Sequence, residues 1–243
     1  MKISLRGKSV LVTGAARRIG RALALGLAHE GATVIIHHGH SADEANNLQA
    51  EIASLGGHSY VIQADLAHLD EMQTLIAQAT TWGPLYALVN NAAIFDALTV
   101  EDTDRKSWQQ HLDINLTAPF LLSQAFARSL PAGADGRIVN ILDWRALRPG
   151  SDHLPYTVSK AGLAALTLAL AQALAPRITV NGIALGAILP PSDGNFNPRL
   201  AESTPAGRWG ALDEVVETLH FLLNGPAYIT GEIVHVDGGR HLV

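Results

Sequence analysis

Short apolar runs alternate with segments of helical periodicity along the whole chain. The apolar runs have the length and composition of strands buried in a sheet, and they are Val10–Val12, Thr33–His37, Ser59–Gln63, Leu85–Asn90, Gly136–Leu142, Ile178–Ile183 and Glu232–Val236. The segments with apolar residues at helical spacing are Ala22–Ala28, Ala42–Leu55, Asp70–Trp82, Trp108–Leu130, Pro155–Ala175 and Asp213–Leu223. This alternation predicts an α/β fold, a doubly wound parallel sheet with helices on both faces.

One stretch rich in proline, glycine and asparagine, Gly186–Gly210, is too long for an ordinary connection. It follows the carboxyl end of a predicted strand, where open α/β sheets bind their ligands. We therefore predict a substrate loop inserted at about residues 186–210. The sequence contains no repeat, low-complexity segment or linker, so we expect a single domain over residues 1–243.

Composition narrows the class of protein further. The chain has 243 residues, of which 48% are hydrophobic, and no apolar run approaches the ~20 residues that cross a bilayer. The net charge of −5 argues against a nucleic-acid binder. The amino terminus lacks the pattern of a signal peptide, and the absence of cysteine agrees with a reducing compartment. We expect a cytoplasmic protein that binds neither membranes nor nucleic acid.

The stretch Ser9–Gly20 places a glycine-rich turn between the first strand and the first helix. Gly14 follows the strand, and the helical pattern begins at Gly20. Unpaired N–H groups and the helix dipole at such a turn attract a phosphate, and glycine allows the backbone to approach it closely. Arg17 and Arg18 lie inside the turn, either as solvated surface charges or, as we favour, with at least one of them binding phosphate.

The end of the second strand predicts which dinucleotide is bound. NAD-specific folds place a carboxylate there for the ribose 2′-hydroxyl, whereas this chain has no acidic residue before Asp43. His37, His40, Ser41 and the nearby Arg17 would accept a 2′-phosphate, which favours NADP(H). No carboxylate or thiolate completes a metal-ligand set with these histidines, so we predict no metal site.

Other polar and aromatic residues follow the third and fourth strands. Asp65, followed by Leu66, is either an acceptor for an adenine amino group or a helix N-cap. The segment Asn90–Ala93 supplies small and amide side chains that leave room for a flat ring. Phe95 is either a core residue or an aromatic surface on which a substrate ring stacks.

The clearest catalytic signal is Tyr156 with Lys160 at the start of a predicted helix. A spacing of four residues places both side chains on one helix face. An ammonium beside a phenol lowers the phenol pKa and makes it a useful proton donor near neutral pH. The alternative is an ordinary exposed pair on a helix surface.

Short motifs occur in a fixed order along the chain: Thr13-Gly14 with Gly20, Asn90-Asn91-Ala92, Asn115, Tyr156 with Lys160, Asn181-Gly182, and Val236-Asp237-Gly238-Gly239. Together they resemble the short-chain dehydrogenase/reductase family nearly end to end. The resemblance implies one Rossmann domain with seven parallel strands, hydride transfer from a nicotinamide and usually a homotetramer. It also implies that Asn115, Tyr156 and Lys160 are catalytic, with Lys160 holding the nicotinamide ribose and Asn115 positioning a proton-relay water.

The cofactor site is expected from the local chemistry and the resemblance together. Its expected residues are Gly14, Arg17, Arg18, Ile19, Gly20, His37, His40, Ser41, Asp65, Leu66, Asn91, Ala92, Lys160, Gly186 and Ile188. They follow the carboxyl ends of several predicted strands, where the ligand crevice of this architecture opens. We therefore expect them to converge on one NADP(H) molecule.

Three positions depart from the family pattern: most members carry glycine in place of Arg18, serine in place of Asp143 and glycine in place of Ala93. The usual serine donates a hydrogen bond to a carbonyl oxygen that becomes negative in the transition state, and an ionised aspartate would repel that charge. An aspartate suits a substrate with N–H donors that is protonated at a ring nitrogen. The glycine turn Thr13–Gly20, His37 with His40-Ser41-Ala42, Phe95 and Asp143 together resemble the pteridine reductases. The ending Asp237-Gly-Gly-Arg-His-Leu242, with Arg148-Pro-Gly-Ser-Asp152, is most similar to their bacterial dihydromonapterin and dihydrofolate reductase relatives.

The pteridine reductase resemblance implies a pterin sandwiched between Phe95 and the nicotinamide, with Arg18 bridging the cofactor pyrophosphate and the pterin. Tyr156, with Lys160, would protonate a ring nitrogen while Asp143 orients the tyrosine or holds the pterin. Expected substrates are dihydropterins, such as dihydromonapterin or dihydrobiopterin, and dihydrofolate. The alternatives are a carbonyl reductase acting on a 3-oxoacyl thioester or a similar compound, and a non-catalytic NADP-binding sensor, since Asp143 could also mark loss of activity.

Overall fold

A computed structural model describes residues 4–190 and 204–243 of the chain. In this described part, seven parallel strands form one sheet in the order β3-β2-β1-β4-β5-β6-β7. The strands are β1 Ser9–Val12, β2 Thr33–His38, β3 His58–Gln63, β4 Leu85–Asn90, β5 Gly136–Asp143, β6 Ile178–Leu185 and β7 Ile233–Val236. The strand order reverses between β1 and β4, and a ligand crevice is expected outside the carboxyl ends of these two strands.

Helices cover both faces of the sheet. They are α1 Arg18–His29, α2 Ala42–Ser54, α3 Met72–Ala79, α4 Arg105–Leu112, α5 Ala118–Ser129, α6 Leu154–Leu174 and α7 Leu212–Asn224. Side chains alternate across a strand, so β1 sends Val10 and Val12 into one hydrophobic cluster and Leu11 into another. The first cluster lies under α1, α2 and α7, and the second under α3, α5 and α6. The predicted doubly wound architecture is confirmed.

The helix predicted at Trp108–Leu130 is present, since the chain is helical without a break from the start of α4 to the end of α5. The structure adds a wider π-helical turn between them, at Asp113–Thr117, which the sequence did not predict. Pro119 stands in the first turn of α5 and has no N–H for the carbonyl four residues earlier, which is that of Asn115. The regular hydrogen-bond ladder is therefore interrupted beside a predicted catalytic residue.

Helix α6 has the length and hydropathy of a membrane span. Within the domain, however, it packs Leu163 and Leu170 into the hydrophobic clusters that cover the sheet. Tyr156 and Lys160 on the same helix are also buried. We therefore interpret α6 as a core helix.

Of the predicted loop Gly186–Gly210, residues 191–203 lie outside the described part.

Candidate active site

Asp143, Tyr156 and Lys160 meet where β5 ends and α6 begins. The Tyr156 hydroxyl donates to Asp143 Oδ2 at 3.2 Å, and Lys160 Nζ donates to the main-chain oxygen of Ile141 at 2.7 Å. Tyr156 and Lys160 are almost completely buried, since one face of α6 packs against β5 and β6. The structure thus brings the predicted residues together, and their catalytic roles stay predictions.

The direction expected for the Tyr156 pKa is corrected by the structure. Burial, followed by the negative charge and hydrogen bond of Asp143, raises the pKa of the phenol well above its ordinary value. Lys160 Nζ lies 5.8 Å from the centre of the tyrosine ring, and burial lowers its own pKa to about 8. After burial, Asp143 is therefore the charge that acts most strongly on the hydroxyl, and Tyr156 is held protonated at neutral pH.

Asn115 is completely buried in the π-helical turn. Its amide nitrogen donates to Ile94 O and Ser159 Oγ, both at 3.0 Å, and its Oδ1 accepts from Ile94 N–H at 2.9 Å. The side chain therefore ties the segment after β4 to α6. Pro119 cannot donate to the main-chain carbonyl of Asn115, and the role of Asn115 in positioning a water stays a prediction.

The glycine turn after β1 has the shape required for close approach of a phosphate. Gly14 has φ +61°, and a Cβ there would lie 3.0 Å from Ala92 Cα; a Cβ at Gly20 would lie 2.2 Å from Gly14 O. Arg17 at the N-cap of α1 makes no side-chain cap, and the first turn contains no acidic residue. The amides at this helix end therefore fit the pyrophosphate of a dinucleotide.

Asn91 fixes this turn from the neighbouring strand. Its side-chain nitrogen donates to Thr13 O at 2.8 Å, and its backbone N–H donates to Thr13 Oγ1 at 2.9 Å. Thr13 Oγ1 also accepts from Ala92 N–H at 3.0 Å. The predicted residues Asn91 and Ala92 therefore support the phosphate turn from the end of β4.

The structure corrects the expectation that His37 contacts a 2′-phosphate. Its Nδ1 accepts from Gly14 N–H at 3.1 Å, its Nε2 lies 3.0 Å from Ala64 O, and the side chain is only 1% exposed. Burial lowers the pKa of His37 to about 4, so the ring is neutral at pH 7. His37 supports the phosphate turn from beneath and leaves no ring nitrogen for a ligand.

This burial predicts acid sensitivity of the fold. The pKa of His37 lies near 6.5 in the unfolded chain and at about 4 in the folded protein. Between these values the unfolded chain binds more protons, so the free energy of unfolding falls as the pH falls, by about 3 kcal/mol in total. Urea denaturation from pH 7 to pH 4 measures this loss.

Carboxyl groups titrate over the same range, so the contribution of His37 is isolated by substitution. His37→Asn keeps an acceptor for Gly14 and removes the titrating ring, and we expect it to lose less stability on acidification than the wild type. His58→Asn, at an exposed position on β3, is the matched control. Equal losses in the wild type and His37→Asn would contradict the prediction.

The remaining residues expected at the adenosine end differ in accessibility. The Arg17 and His40 side chains are 64% and 83% exposed. Arg17 Nη1 lies 3.6 Å from Glu44 Oε1, and His40 Nε2 lies 3.9 Å from Asp65 Oδ2. Asp65 Oδ1 accepts a hydrogen bond from Ala67 N–H at 3.0 Å, so Asp65 closes a local turn and is not a helix N-cap. Ser41 precedes α2 without capping it. Arg17 and His40 are therefore accessible to a 2′-phosphate, whereas the predicted contact residue Ser41 is buried, with only 8% exposed.

Four further predicted positions contribute through packing or backbone. Leu66 and Ile188 are buried in the hydrophobic clusters, and Ile19 packs against the first of them. Gly186 N–H donates to Val236 O at 3.0 Å, and a Cβ at Gly186 would lie 2.6 Å from the Asp237 backbone. For Leu66, only the backbone remains for contact with a cofactor.

Arg18 occupies a backbone conformation that explains why glycine is usual at this position. Its φ is +54°, a left-handed value that costs an L-residue roughly 1–2 kcal/mol. Its guanidinium donates to Pro190 O at 2.5 Å, across 172 residues of sequence. Arg18 therefore joins the phosphate turn to the start of the predicted substrate loop, and its role as a bridge to pyrophosphate and pterin stays a prediction.

Phe95 is not a core residue, because 45% of it is exposed. Its ring stacks on His153, with centroids 4.1 Å apart and an interplanar angle of 12°, and it meets Tyr156 edge-on with ring centroids 4.5 Å apart.

Sequence reasoning missed His153, Arg145 and Ser159 as parts of this site. The position of His153, three residues before Tyr156, is the signal that could have identified it.

Comparisons with known proteins agree on the family. Residues 14–241 match the family model described as "Enoyl-(Acyl carrier protein) reductase". A curated 3-oxoacyl-[acyl-carrier-protein] reductase from Synechocystis is 35% identical, over 97% of this chain and 98% of its own length.

Two similar solved structures are FolM alternative dihydrofolate reductase 1 from Brucella suis and Brucella canis, both in complex with NADP, with 38% and 37% identity and TM-scores of 0.93. The alignments cover 98% of this chain and 97% of the first, and 99% of this chain and 96% of the second. Together with the seven-stranded sheet and the glycine turn, these matches show that the chain belongs to the short-chain dehydrogenase/reductase family of NAD(P)H-dependent oxidoreductases.

Proposed function

We propose that this protein is an NADPH-dependent reductase of a dihydropterin or of dihydrofolate. The observation that carries the proposal is the position of Asp143, whose carboxylate accepts the hydrogen bond of the Tyr156 hydroxyl at 3.2 Å. This contact places an acidic group beside the proton that the tyrosine delivers. The similarity to the Brucella alternative dihydrofolate reductases supports the same substrate class.

The charge of Asp143 discriminates between substrates. Reduction of a carbonyl builds negative charge on oxygen, and a carboxylate about 4 Å away would oppose it by about 4 kcal/mol at an effective dielectric constant of about 20. Reduction of a pterin sends the proton to a ring nitrogen, so no oxyanion forms. The ring and amino N–H groups of a pterin would instead donate to the Asp143 carboxylate.

Different residues of the site would bind the cofactor, donate the proton and position the substrate. The amides of the glycine turn and α1 would hold the pyrophosphate, and Lys160 would hold the nicotinamide ribose. NADPH, when bound, supplies the hydride. Tyr156 donates its proton to the ring nitrogen, Asp143 orients the Tyr156 hydroxyl through their hydrogen bond, and the exposed ring of Phe95 stacks on the substrate.

A second candidate function is reduction of a 3-oxoacyl thioester, which the similarity to the Synechocystis reductase favours. A non-catalytic NADP-binding sensor is the third. Steady-state oxidation of NADPH, measured in parallel with a dihydropterin, dihydrofolate and a 3-oxoacyl thioester, separates the three. We expect turnover with a dihydropterin or dihydrofolate, whereas preference for the thioester or no turnover at all would overturn the proposal.

We also propose that NADPH is bound at least tenfold more tightly than NADH, a difference of about 1.4 kcal/mol. The end of β2 offers no carboxylate to a ribose 2′-hydroxyl, and Arg17 and His40 stand exposed beside it. Fluorescence titration with both cofactors measures the preference. Arg17→Ala should remove most of it, while Arg148→Ala, at an exposed position, should leave it unchanged.

Equal affinities for NADPH and NADH in the wild type would contradict this assignment.

We further propose a homotetramer located in the cytoplasm. Size-exclusion chromatography with light scattering tests the oligomeric state, and a monomer would contradict it.

A further inference from the structure

Six side chains in and beside the candidate site form a closed circuit of contacts. The contacts, in order, are Asp143–Arg145 at 3.8 Å, Arg145–Asp152 at 2.8 Å, Asp152–His153 at 3.1 Å, His153–Phe95 at 4.1 Å between ring centres, Phe95–Tyr156 at 4.5 Å between ring centres, and Tyr156–Asp143 at 3.2 Å. Arg145 is the cation in this circuit that contacts both carboxylates. It belongs to none of the motifs that identify the family.

Arg145 is held more tightly than an ordinary surface arginine. Its side chain is only 15% exposed, and its guanidinium carbon lies 5.8 Å from the centre of the Phe95 ring and 5.1 Å from that of Trp144. Its Nε is buried and has no hydrogen-bond partner among residues 4–190 and 204–243. Arg145 is therefore a largely buried cation that contacts two carboxylates and two aromatic rings.

On one side, Arg145 acts on Phe95 through Asp152 and His153. The hydrogen bond from Arg145 comes first in lowering the pKa of Asp152 to about 2, which keeps this carboxylate ionised. Asp152 in turn holds His153, whose φ of +52° is strained for a residue other than glycine. His153 lies flat against Phe95 and so fixes the orientation of the exposed ring.

On the other side, Arg145 acts on Asp143. The charged or titratable groups that face this carboxylate are Arg145, Lys160, Tyr156 and Arg240. Burial raises the pKa of Asp143, whereas the backbone N–H and the charge of Arg145, with Lys160, oppose that rise. Removal of the Arg145 charge therefore favours protonation of Asp143.

We infer that Arg145 is a positioning residue that holds Asp143 ionised beside Tyr156 and, through Asp152 and His153, orients Phe95 for the substrate ring. The inference rests on the proposed function for the identity of that ring. Arg145 itself acts through these neighbours. Its loss should therefore change both the pH dependence of turnover and KM.

The test compares Arg145→Met with Arg145→Lys and with Arg148→Met, a matched arginine that is exposed three residues away. Initial rates with a dihydropterin are measured from pH 5 to pH 9. For Arg145→Met we expect KM to rise about tenfold and the acid limb of the kcat/KM profile to move about one pH unit upward. Arg145→Lys should restore the acid limb but not KM, because lysine keeps the charge without the planar fork.

Arg148→Met should behave as the wild type. Circular dichroism and NADPH titration establish that each variant is folded and binds cofactor. If Arg145→Met is folded but shows the wild-type KM and acid limb, the inference is overturned. If Arg145→Met does not fold, the lysine variant decides the question, and a wild-type KM there overturns the inference.

Failure of the proposed function gives a different result. In that case the wild type reduces only the 3-oxoacyl thioester, and the same comparison is made with that substrate. The apparent pKa that Asp143 contributes to the profile should still move upward in Arg145→Met and not in Arg148→Met. An unchanged profile would overturn the inference for either substrate.

Discussion

Replacing Tyr156 with phenylalanine is expected to lower kcat by roughly 10²–10⁴ while the affinity for NADPH barely changes. The substitution removes only the hydroxyl that lies 3.2 Å from Asp143 Oδ2, and it keeps the ring that packs edge-on against Phe95. The variant should therefore fold and bind cofactor normally while lacking its proton donor. Steady-state kinetics with a dihydropterin and fluorescence titration of NADPH measure the two quantities.

The matched control is Tyr228→Phe, because Tyr228 is fully exposed. It loses the same atom at a position outside the site, and we expect wild-type kinetics. Normal turnover by Tyr156→Phe would show that the hydroxyl is structural, and the proton route proposed above would then be wrong.

Replacing Asp143 with serine, the usual family residue, is expected to lower kcat/KM for a dihydropterin by at least about tenfold. Without the carboxylate, the Tyr156 hydroxyl and the N–H groups of the substrate lose their charged acceptor. Any weak reduction of a 3-oxoacyl thioester should be unharmed or improved, because a negative charge beside the developing oxyanion is removed. The decisive measurement is kcat/KM for both substrates with the wild type and the variant.

Asp135→Ser changes an exposed aspartate to the same residue and serves as the control. We expect it to leave both activities unchanged. An equal loss with both substrates in Asp143→Ser would indicate a general structural role for Asp143. A wild type that already prefers the thioester would exclude the pterin reductase and favour the carbonyl reductase.

Local sequence patterns predicted the fold, and they paired Tyr156 with Lys160, which the structure places together on one buried face of α6. The strands were identified because each buried strand of a parallel sheet is a short apolar run, as at Leu85–Asn90. The phosphate turn followed from the position of Gly14 between a strand and a helix. Tyr156 and Lys160 were paired by a spacing of four residues on one helix. These inferences need only the period of an element and the point at which it ends.

The errors arose where a residue's role depends on partners distant in sequence. Both ring nitrogens of His37 are occupied by backbone groups at Gly14 and Ala64, 23 and 27 residues away, and nothing in the His37-His38 sequence reveals this. The expected direction of the Tyr156 pKa was wrong because burial of the phenol and the carboxylate of Asp143 both raise that pKa. Neither the burial of Tyr156 nor its contact with Asp143 follows from helix spacing.

The sequence by itself therefore determined the order of strands and helices, the glycine turn and the presence of the tyrosine–lysine pair, because each depends on local periodicity. Only the tertiary structure decided which charges face one another. It placed Asp143 against Tyr156, turned His37 into a support for the phosphate turn, and joined Arg145, Asp152 and His153 to Phe95. Burial and electrostatic contact depend on distances across the fold, and these are set when neighbouring strands pair and α6 packs against β5 and β6.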